Sequence, residues 1–330
     1  MKKSYMDYTK LLPKVTVKKP LLIGTDCSGI EAPIQALELL KIPYIHKFSS
    51  EIDKKTKSLL ECNYAPEIIY DDITKRNHAN LPKIDLYISG FPCQAWSHLG
   101  KRGGFDDYKG RGIIFFECYD TIIHTDPDMF ILENVKGLVT HDNGNTFEYI
   151  LDALKKLQYD IYYKILNTLD FGLPQNRERI YIVGLKKNKF NKFSFPKPIP
   201  LNISVTDILD EGLNPKTILT KHKKDILNDL VKYKVISSLK DPWIVNLNCS
   251  SYKRSSPMLN ISPCLMASGA IYYISSNGRN LTPYEFLKLQ GFHRFNFCGE
   301  YSKIYSVAGN SMSVSVIAYI LANMLKSKKN

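Results

Sequence analysis

Short apolar segments of strand length alternate with segments of helical periodicity from residue 21 to residue 185, and this alternation limits the possible folds. Strand-like runs cover 21–25, 46–50, 67–70, 84–89 and 129–132, and helical runs cover 34–40, 54–62, 113–124 and 147–157. Such an order is typical of βαβ units, whose strands lie parallel in one sheet. We therefore expect an α/β fold with a doubly wound, mostly parallel sheet.

The last two strand-like segments of this region, 161–167 and 179–184, have no helical segment between them. A parallel pair needs a crossover connection, which is usually a helix. The far edge of the sheet is therefore predicted to be antiparallel.

The composition changes after residue 185, which predicts a second, smaller domain. Residues 186–200 are rich in lysine, asparagine and proline, as in a linker to a less regular module. Residues 221–240 predict a pair of lysine-rich helices, Thr282 and Pro283 predict a helix start, and 313–326 predict a last apolar helix. The expected domains are 1–185, completed by about 302–330, and 186–301.

The formal net charge is +13, from 45 Lys and Arg against 32 Asp and Glu. A basic surface attracts nucleic acids because their counterions are released on binding, although a lysine-rich soluble protein has the same composition. No apolar run reaches about 18 residues and the first residues lack an apolar core, so neither a membrane span nor a leader peptide is expected. The cysteines form no C-x-x-C pair, so no metal site is expected.

Cys93 follows Pro92 at the end of the predicted strand 84–89. Proline fixes its own φ and stiffens the backbone that aims the thiol. A cysteine at such a strand-to-loop junction suits a nucleophile, whereas a free cysteine is often only a small buried hydrophobe. The residues alone leave both interpretations open.

Three polar positions follow three successive predicted strands. Gly29 lies in the first strand-to-helix turn, Glu51 follows the next strand 22 residues on, and Asp72 follows the third. In nucleotide-binding folds the glycine permits close approach to the backbone and the acidic residue binds ribose hydroxyls. The three residues together favour an adenosine-containing ligand without a pyrophosphate. The alternative is that they only cap helices and form turns.

Glu133 ends the predicted strand 129–132 and could hydrogen-bond a heterocycle, or simply cap a helix. In an extended chain Gln175, Arg177 and Arg179 would point to one face. That triple suits the orientation of an acidic group and a base carbonyl, and a surface charge ladder is the alternative.

Taken together, these motifs resemble the cytosine-5 DNA methyltransferases, in family order and over about 21–325. The matching segments are Ser28-Gly29-Ile30, Gly90-Phe91-Pro92-Cys93-Gln94 with Ser97, Arg111-Gly112-Ile113-Ile114-Phe115-Phe116-Glu117, Glu133-Asn134-Val135, Gln175-Asn176-Arg177-Glu178-Arg179, Arg279 to Glu285 with Leu289-Gln290-Gly291-Phe292, and Gly309-Asn310-Ser311.

The resemblance implies a Rossmann-like enzyme that transfers a methyl group from S-adenosylmethionine to carbon 5 of a flipped-out cytosine in double-stranded DNA. It casts Cys93 as the nucleophile, Glu133 as the group on ring nitrogen 3, Arg179 as the base-carbonyl ligand and Arg177 as support for the loop. Cofactor contacts are expected from Cys27, Ser28, Gly29, Ile30, Glu31, Glu51, Ile52, Asp72, Ile73, Pro92, Asn310 and Ser311.

DNA contacts are expected from Gln94, Ser97, Lys101, Arg102, Arg111, Gln175, Arg279 and Thr282. Residues 1–185 with 302–330 would carry catalysis and the cofactor, and 186–301 would recognise the target. We expect a monomer of the kind found in restriction–modification systems. It would be cytoplasmic in a bacterium or with a phage, and nuclear or in a viral factory if the source is eukaryotic or viral.

Some positions depart from the family pattern. Cys27 stands where the family usually has an aromatic residue, Glu31-Ala32 where it has a glycine pair, Val307 where it has a glutamine and Tyr284 where arginine is common. None of them removes a group that the chemistry needs, so activity is expected and cofactor affinity is the property put in doubt.

Three other functions compete with this interpretation. Transfer-RNA cytosine methyltransferases share the chemistry and often carry Cys-Phe-Thr, whereas here Cys249 precedes Ser250 and Cys264 precedes Leu265. A catalytically weak DNA-binding relative is disfavoured by intact Cys93, Glu133 and Arg179. A nicotinamide dehydrogenase is excluded because no G-x-G-x-x-G loop is present.

Overall fold

A computed structural model describes residues 6–92, 114–210, 212 and 216–329, and the chain folds as two compact units. The large-sheet unit contains Leu12–Leu166, Glu178–Lys197 and Val316–Asn330. The small-sheet unit contains Met1–Leu11, Asn167–Arg177 and Pro198–Ser315.

The described part of the large-sheet unit is built on a seven-stranded sheet. Its strands are β1 (Leu21–Asp26), β2 (Tyr44–Ser50), β3 (Ile68–Tyr70), β4 (Leu86–Ser89), β5 (Met129–Val135), β6 (Tyr159–Asn167) and β7 (Glu178–Lys186). Their order is β3-β2-β1-β4-β5-β7-β6. The pairs from β3 to β5 are parallel and β7 is antiparallel to β5, which confirms the predicted mostly parallel sheet with an antiparallel far edge.

Helices connect these strands as the sequence pattern predicts. They are α1 (Ala32–Leu39), α2 (Lys54–Asn63), α3 (Ile114–Thr125) and α4 (Asn145–Lys155). Asp53 caps α2 by accepting a hydrogen bond from the Thr56 amide at 2.8 Å, because the first amides of a helix have no partner within it.

Two glycines make room for large aromatic side chains on neighbouring strands. A Cβ atom at Gly24 in β1 would lie 2.3 Å from the ring of Phe48, and one at Gly184 in β7 would lie 2.1 Å from the ring of Phe130. Both rings are fully buried. The glycines therefore let the core close around the middle of the sheet.

The register aligns the carboxyl ends of the central strands. Asp26 of β1 pairs with Ser89 of β4, and Ser89 pairs with Leu132 of β5. Ser50 of β2 lies opposite Tyr70 of β3. The residues that follow these strands share one edge of the sheet, where parallel α/β sheets bind ligands.

The small-sheet unit contains shorter elements. They are α5 (Val205–Ile208), α6 (Lys221–Lys232), β8 (Trp243–Asn246), β9 (Met258–Leu259), β10 (Tyr272–Ile274), β11 (Arg279–Asn280), α7 (Pro283–Gln290) and α8 (Lys303–Asn310). The four strands form an antiparallel sheet in the order β11-β10-β8-β9.

The predicted helix pair over 221–240 was wrong, since α6 alone is formed there. Lys234 has a φ of 56°, which carries the chain out of the helical path directly after α6. Ile236 then returns into a small core with Ile226 and Leu230. This hydrophobic contact, rather than a second helix, accounts for the apolar residue at position 236.

The last helix is α9 (Val314–Ser327), as predicted. By length and composition alone, the described segment Lys303–Ser327 could cross a membrane, with a mean hydropathy of 1.4. However, 83% of its most apolar stretch is buried inside the structure, and non-helical Ser311–Ser313 separate α8 from α9. Packing in a protein core accounts for these apolar residues.

Candidate active site

The carboxyl ends of β1 and β2 are joined by Gly29 and Glu51. The Gly29 amide donates to Glu51 Oε2 at 2.9 Å, and the Ser28 amide donates to the Ser50 carbonyl at 2.9 Å. Gly29 has a φ of +56°, and a Cβ placed on it would meet nothing within 4 Å. The turn after β1 therefore presents a bare backbone to open space, as close approach of a ligand requires.

The two acidic residues that follow β2 and β3 are held by their own loops. Glu51 Oε1 accepts from the Asp53 amide at 2.9 Å, and Asp72 accepts from both the amide and the hydroxyl of Thr74. The Thr74 hydrogen bond is the chief cause that lowers the pKa of Asp72. Both carboxylates are partly exposed, so a ligand can reach them.

Ile52 differs from the apolar residues around it because 72% of its surface is exposed. It lies between Glu51 and the α2 cap, on the edge where the strands end. Ile73, which follows Asp72, is buried in the large core cluster instead. An exposed isoleucine beside a hydrogen-bonding carboxylate is suited to cover the face of a flat heterocycle.

The remaining residues of the turn after β1 direct their side chains inward. Cys27 packs against the large core, and burial raises the pKa of its thiol well above the ordinary value. Ile30 is buried, and the Ser28 hydroxyl contacts Thr25 and accepts from the Ser50 amide. Any contact from Ile30 to a cofactor must therefore come from its backbone.

Glu31 is fully buried in a left-handed conformation with a φ of 57°. Its Oε1 accepts from the hydroxyls of Thr25 at 2.7 Å and Ser49 at 2.6 Å, while Oε2 has no hydrogen-bond partner among the described residues. Burial raises the pKa of this carboxyl to about 7. The predicted cofactor contact of Glu31 is thus limited to its backbone.

The chain that leaves β4 toward Cys93 is held at Phe91. Phe91 is buried, and its carbonyl accepts from the Asn134 side chain at 3.2 Å. Pro92 is partly exposed. The predicted residues Cys93, Gln94, Ser97, Lys101, Arg102 and Arg111 lie outside the described residues.

Glu133 and Arg179 form an ion pair at the same edge. Arg179 Nε lies 3.2 Å from Glu133 Oε1, and both side chains are largely buried. The antiparallel register pairs Val135 with Arg179 and Glu133 with Tyr181, so the two charged residues are diagonal neighbours on one face. The Arg179 guanidinium fixes the orientation of the Glu133 carboxylate, which lies near the end of β5, beside the end of β4.

In the small-sheet unit, Gln175 and Arg177 are buried and bonded to protein. Gln175 donates to the Leu289 carbonyl at 2.8 Å, and Arg177 donates to the carbonyls of Leu265 at 3.1 Å and Ser311 at 2.7 Å. Gln175 and Arg177 both bond the backbone of Leu265, whereas Arg179, the second residue of β7, pairs with Glu133. Gln175 is thus bonded within the protein, and its expected contact with DNA stays a prediction.

Two further residues assigned to DNA are also used internally. Arg279 is buried and donates to both carboxylate oxygens of Glu285, at 2.9 and 2.6 Å. Thr282 is the N-cap of α7, in a reciprocal capping box with Glu285. Both therefore shape the start of α7, which the sequence predicted at Thr282, while the pairing of Arg279 with Glu285 was not predicted.

The Gly309-Asn310-Ser311 motif ends α8. Asn310 is exposed, whereas Ser311 is buried and its carbonyl accepts from Arg177. A Cβ atom on Gly309 would lie 2.1 Å from the Met266 carbonyl oxygen. The glycine permits this close approach and leaves Asn310 as the outward-facing side chain of the motif.

Sequence reasoning missed a buried ion pair beneath the carboxyl ends of β1, β2 and β3. Arg76 donates from both terminal nitrogens to the carboxylate of Asp26, each at 2.6 Å. Both side chains are almost completely buried. The only sequence signal was an aspartate at the end of an apolar strand, which needs a partner there.

Comparisons with known proteins point to one family. The family described as C-5 cytosine-specific DNA methylase matches residues 27–326. Type II methyltransferase M.HaeII of Haemophilus aegyptius is 43% identical over 85% of this chain and 86% of its own length. Type II methyltransferase M.NgoBI of Neisseria gonorrhoeae is 41% identical over 82% of this chain and 83% of its own length.

Solved structures share the fold at lower identity. Methyltransferase EhMeth of Entamoeba histolytica aligns with a TM-score of 0.64 and 19% identity, covering 95% of this chain and 100% of that one. The Dnmt2 methyltransferase of S. pombe aligns with a TM-score of 0.62 and 16% identity, covering 93% and 99%.

Proposed function

Because the chain belongs to the family of C-5 cytosine-specific DNA methylases and is a DNA cytosine-5 methyltransferase, we propose that it uses a Cys93 thiolate as nucleophile and S-adenosylmethionine as methyl donor. The Glu133–Arg179 pair is the observation that carries this proposal. It lies at the end of β5, beside β4, whose following residues lead to Cys93.

The edge formed by β1, β2 and β3 fits an adenosine group. Gly29 offers open backbone, Glu51 offers carboxylate oxygens for ribose hydroxyls, and Asp72 offers an acceptor for an adenine amino group. Exposed Ile52 would lie against the adenine ring. The bound cofactor supplies an electrophilic methyl group on a sulfonium.

Carbon 5 of cytosine is a weak nucleophile, so the chain must first activate the ring. The Cys93 sulfur would form a bond to carbon 6, the carbon 5–carbon 6 electron pair would move between carbon 4 and carbon 5, and the carbon 4–nitrogen 3 pair would move onto nitrogen 3. Glu133, as the protonated carboxyl group, would donate a hydrogen bond to nitrogen 3 and stabilise the charge developing there. Carbon 5 then carries enough electron density to accept the methyl group.

Product release reverses the addition. The carbon 5 proton passes to water, the double bond re-forms and the Cys93 sulfur leaves carbon 6. Arg179 would bind the base carbonyl and orient Glu133, while Arg177 would act as a positioning residue through the carbonyls that it bonds. The target base must leave the duplex to reach this edge.

We assign catalysis to residues 1–185 with about 302–330, and target recognition to 186–301. We propose a monomeric enzyme that acts on DNA in the cytoplasm, and the Type II methyltransferase names of its bacterial relatives favour a role in a restriction–modification system.

Covalent trapping tests the proposal directly. Cytosine with fluorine at carbon 5 cannot lose that substituent as a cation, so the adduct should persist through denaturing electrophoresis. We expect trapping by the wild type and none by Cys93→Ser. Glu133→Gln should methylate DNA at least about 10²-fold more slowly, as expected for loss of a positioned acid–base group.

Glu178→Gln is the matched control, because Glu178 neighbours Arg179 but pairs with Lys136 at the surface. It should trap and methylate like the wild type. Bisulfite sequencing of DNA from expressing cells reads the target sequence in the same experiment. Methylation by Cys93→Ser at the wild-type rate would disprove the mechanism.

A further inference from the structure

The buried Asp26–Arg76 pair contacts every element that carries a proposed adenosine-binding residue. Asp26 is the last residue of β1, three positions before Gly29. Arg76 lies in the loop after β3, four positions beyond Asp72. Ser50, directly before Glu51, donates to Asp26 Oδ1 at 2.6 Å and accepts from Arg76 at 2.7 Å.

Neighbouring elements enclose the pair. The Tyr87 hydroxyl of β4 donates to Asp26 Oδ2 at 2.7 Å, and Arg76 donates to the Thr121 hydroxyl of α3 at 2.5 Å. The Arg76 guanidinium also lies 5.3 Å from the ring centres of Phe48 and Tyr70. Such a planar cation, held by a bidentate pair and two rings, has little freedom to move.

Stability alone does not account for this arrangement. Removing two charges from water costs several kcal/mol per ion, and a well-packed apolar pair of similar volume is often as stable or more so. What the ion pair adds is directional geometry, because its hydrogen bonds form only at one separation and orientation of the strand ends.

We propose that Asp26 and Arg76 are positioning residues for S-adenosylmethionine: their ion pair holds Gly29, Glu51 and Asp72 at the spacing that an adenosine group requires. The inference rests on the proposed function in assigning those three residues to the cofactor. It predicts that disturbing the pair weakens cofactor binding more than DNA binding or the chemical step.

Arg76→Lys tests this, since it retains the charge and loses the planar fork. We expect the Kd for S-adenosylmethionine, and for S-adenosylhomocysteine as the unreactive probe, to rise at least about tenfold. The Kd for DNA should stay within about twofold, and kcat at saturating cofactor should fall less than the cofactor affinity.

Ser50→Ala is the milder variant, because it removes one hydroxyl from the pair without leaving a buried charge unpaired. It should weaken cofactor binding in the same direction, by about threefold, as expected for loss of a hydrogen bond of modest net strength. This variant keeps the test valid if Arg76→Lys fails to fold.

Asp128→Asn is the matched control in the same unit. Asp128 directly precedes β5 and bonds Lys189 at 2.6 Å and Lys328 at 2.9 Å, at the opposite end of the strands. It should lower the melting temperature and leave the cofactor Kd unchanged.

Two results would overturn the inference. One is a lower melting temperature in Arg76→Lys with cofactor Kd values within about twofold of the wild type. The other is an equal loss of cofactor affinity in Asp128→Asn. Failure of the proposed function has a different signature, since the wild type itself would then neither bind S-adenosylmethionine nor methylate DNA.

Discussion

Replacing Glu31 by glutamine should change how the free energy of unfolding depends on pH. The Glu31 carboxyl is fully buried beneath the turn after β1, and its Oε1 lies 3.5 Å from the Nε2 atom of His46. Burial raises the pKa of Glu31 from 4.5 to about 7 and lowers the pKa of His46 from 6.5 to about 4. Both groups are therefore neutral in the folded protein near pH 5.5.

The sign follows from proton binding in the two states. The folded-state pKa of Glu31 is raised, so the stability it contributes is complete below pH 4.5 and is lost as the pH rises through about 7. The folded-state pKa of His46 is lowered, so its contribution is present above pH 6.5 and is lost as the pH falls through about 4. Each difference corresponds to about 3 kcal/mol, at about 1.4 kcal/mol per pKa unit.

Between pH 4.5 and 6.5 the two effects oppose each other in the wild type. Glu31→Gln removes the contribution of Glu31, which falls as the pH rises. The free energy of unfolding of the variant, minus that of the wild type, should therefore increase by about 1.4 kcal/mol per pH unit across this window. Urea denaturation at half-unit pH steps measures the difference. Glu61→Gln, at an exposed carboxylate of α2, is the control and should give a flat difference.

A flat difference between Glu31→Gln and the wild type over pH 4.5–6.5 would refute the reasoning. It would mean that Glu31 is ionised in the folded state and that its removal leaves the protonation of His46 unchanged. An ion pair between the two groups would give the predicted slope as well, because removal of Glu31 would then also release the proton of His46. An NMR titration of the wild-type His46 ring separates a neutral pair from an ion pair, because a neutral buried ring titrates near pH 4 and an ion-paired ring titrates above 6.5.

Two other substitutions test packing in the small-sheet unit. Gly309→Ala places a methyl group 2.1 Å from the Met266 carbonyl oxygen. It should destabilise the protein by about 1–3 kcal/mol in urea denaturation. An unchanged midpoint would mean that the backbone moves enough to accommodate the methyl group. Arg279→Ala leaves the Glu285 carboxylate buried without its cation, and should cost about 3–5 kcal/mol by the same measurement. A loss below about 1 kcal/mol would show that water reaches Glu285.

The sequence predicted the large sheet well because its strands and helices are long enough to show a period. The first strand was expected over 21–25 and is formed by Leu21–Asp26, and the helix expected over 113–124 is formed by Ile114–Thr125. Strands of two to four residues in the small-sheet unit, such as Met258–Leu259, are too short for an alternating pattern. The pairing of these short strands depends on contacts between residues that are far apart in the chain.

Only those site residues that belong to recognisable motifs could be predicted from the sequence. Residues at strand ends, such as Glu51 and Glu133, could be found because a parallel sheet brings its carboxyl ends together. The partners of buried charges could not, since nothing local distinguishes Arg76, which pairs with Asp26, from an exposed arginine. Which charged residues pair is decided by the fold.

The buried polar residues also change how mutations in the motifs should be interpreted. Arg177 belongs to a motif assigned to catalysis, yet it is 2% exposed and bonds main-chain carbonyls on both sides of Asn310. Loss of its side chain removes a donor from each of those carbonyls, although Gln290 still donates to the Ser311 carbonyl, and it loosens the backbone that orients Asn310. A lower rate in an Arg177 variant would therefore report altered backbone position rather than a lost contact to the base, whereas at Glu133 the strand-end geometry supports direct contact.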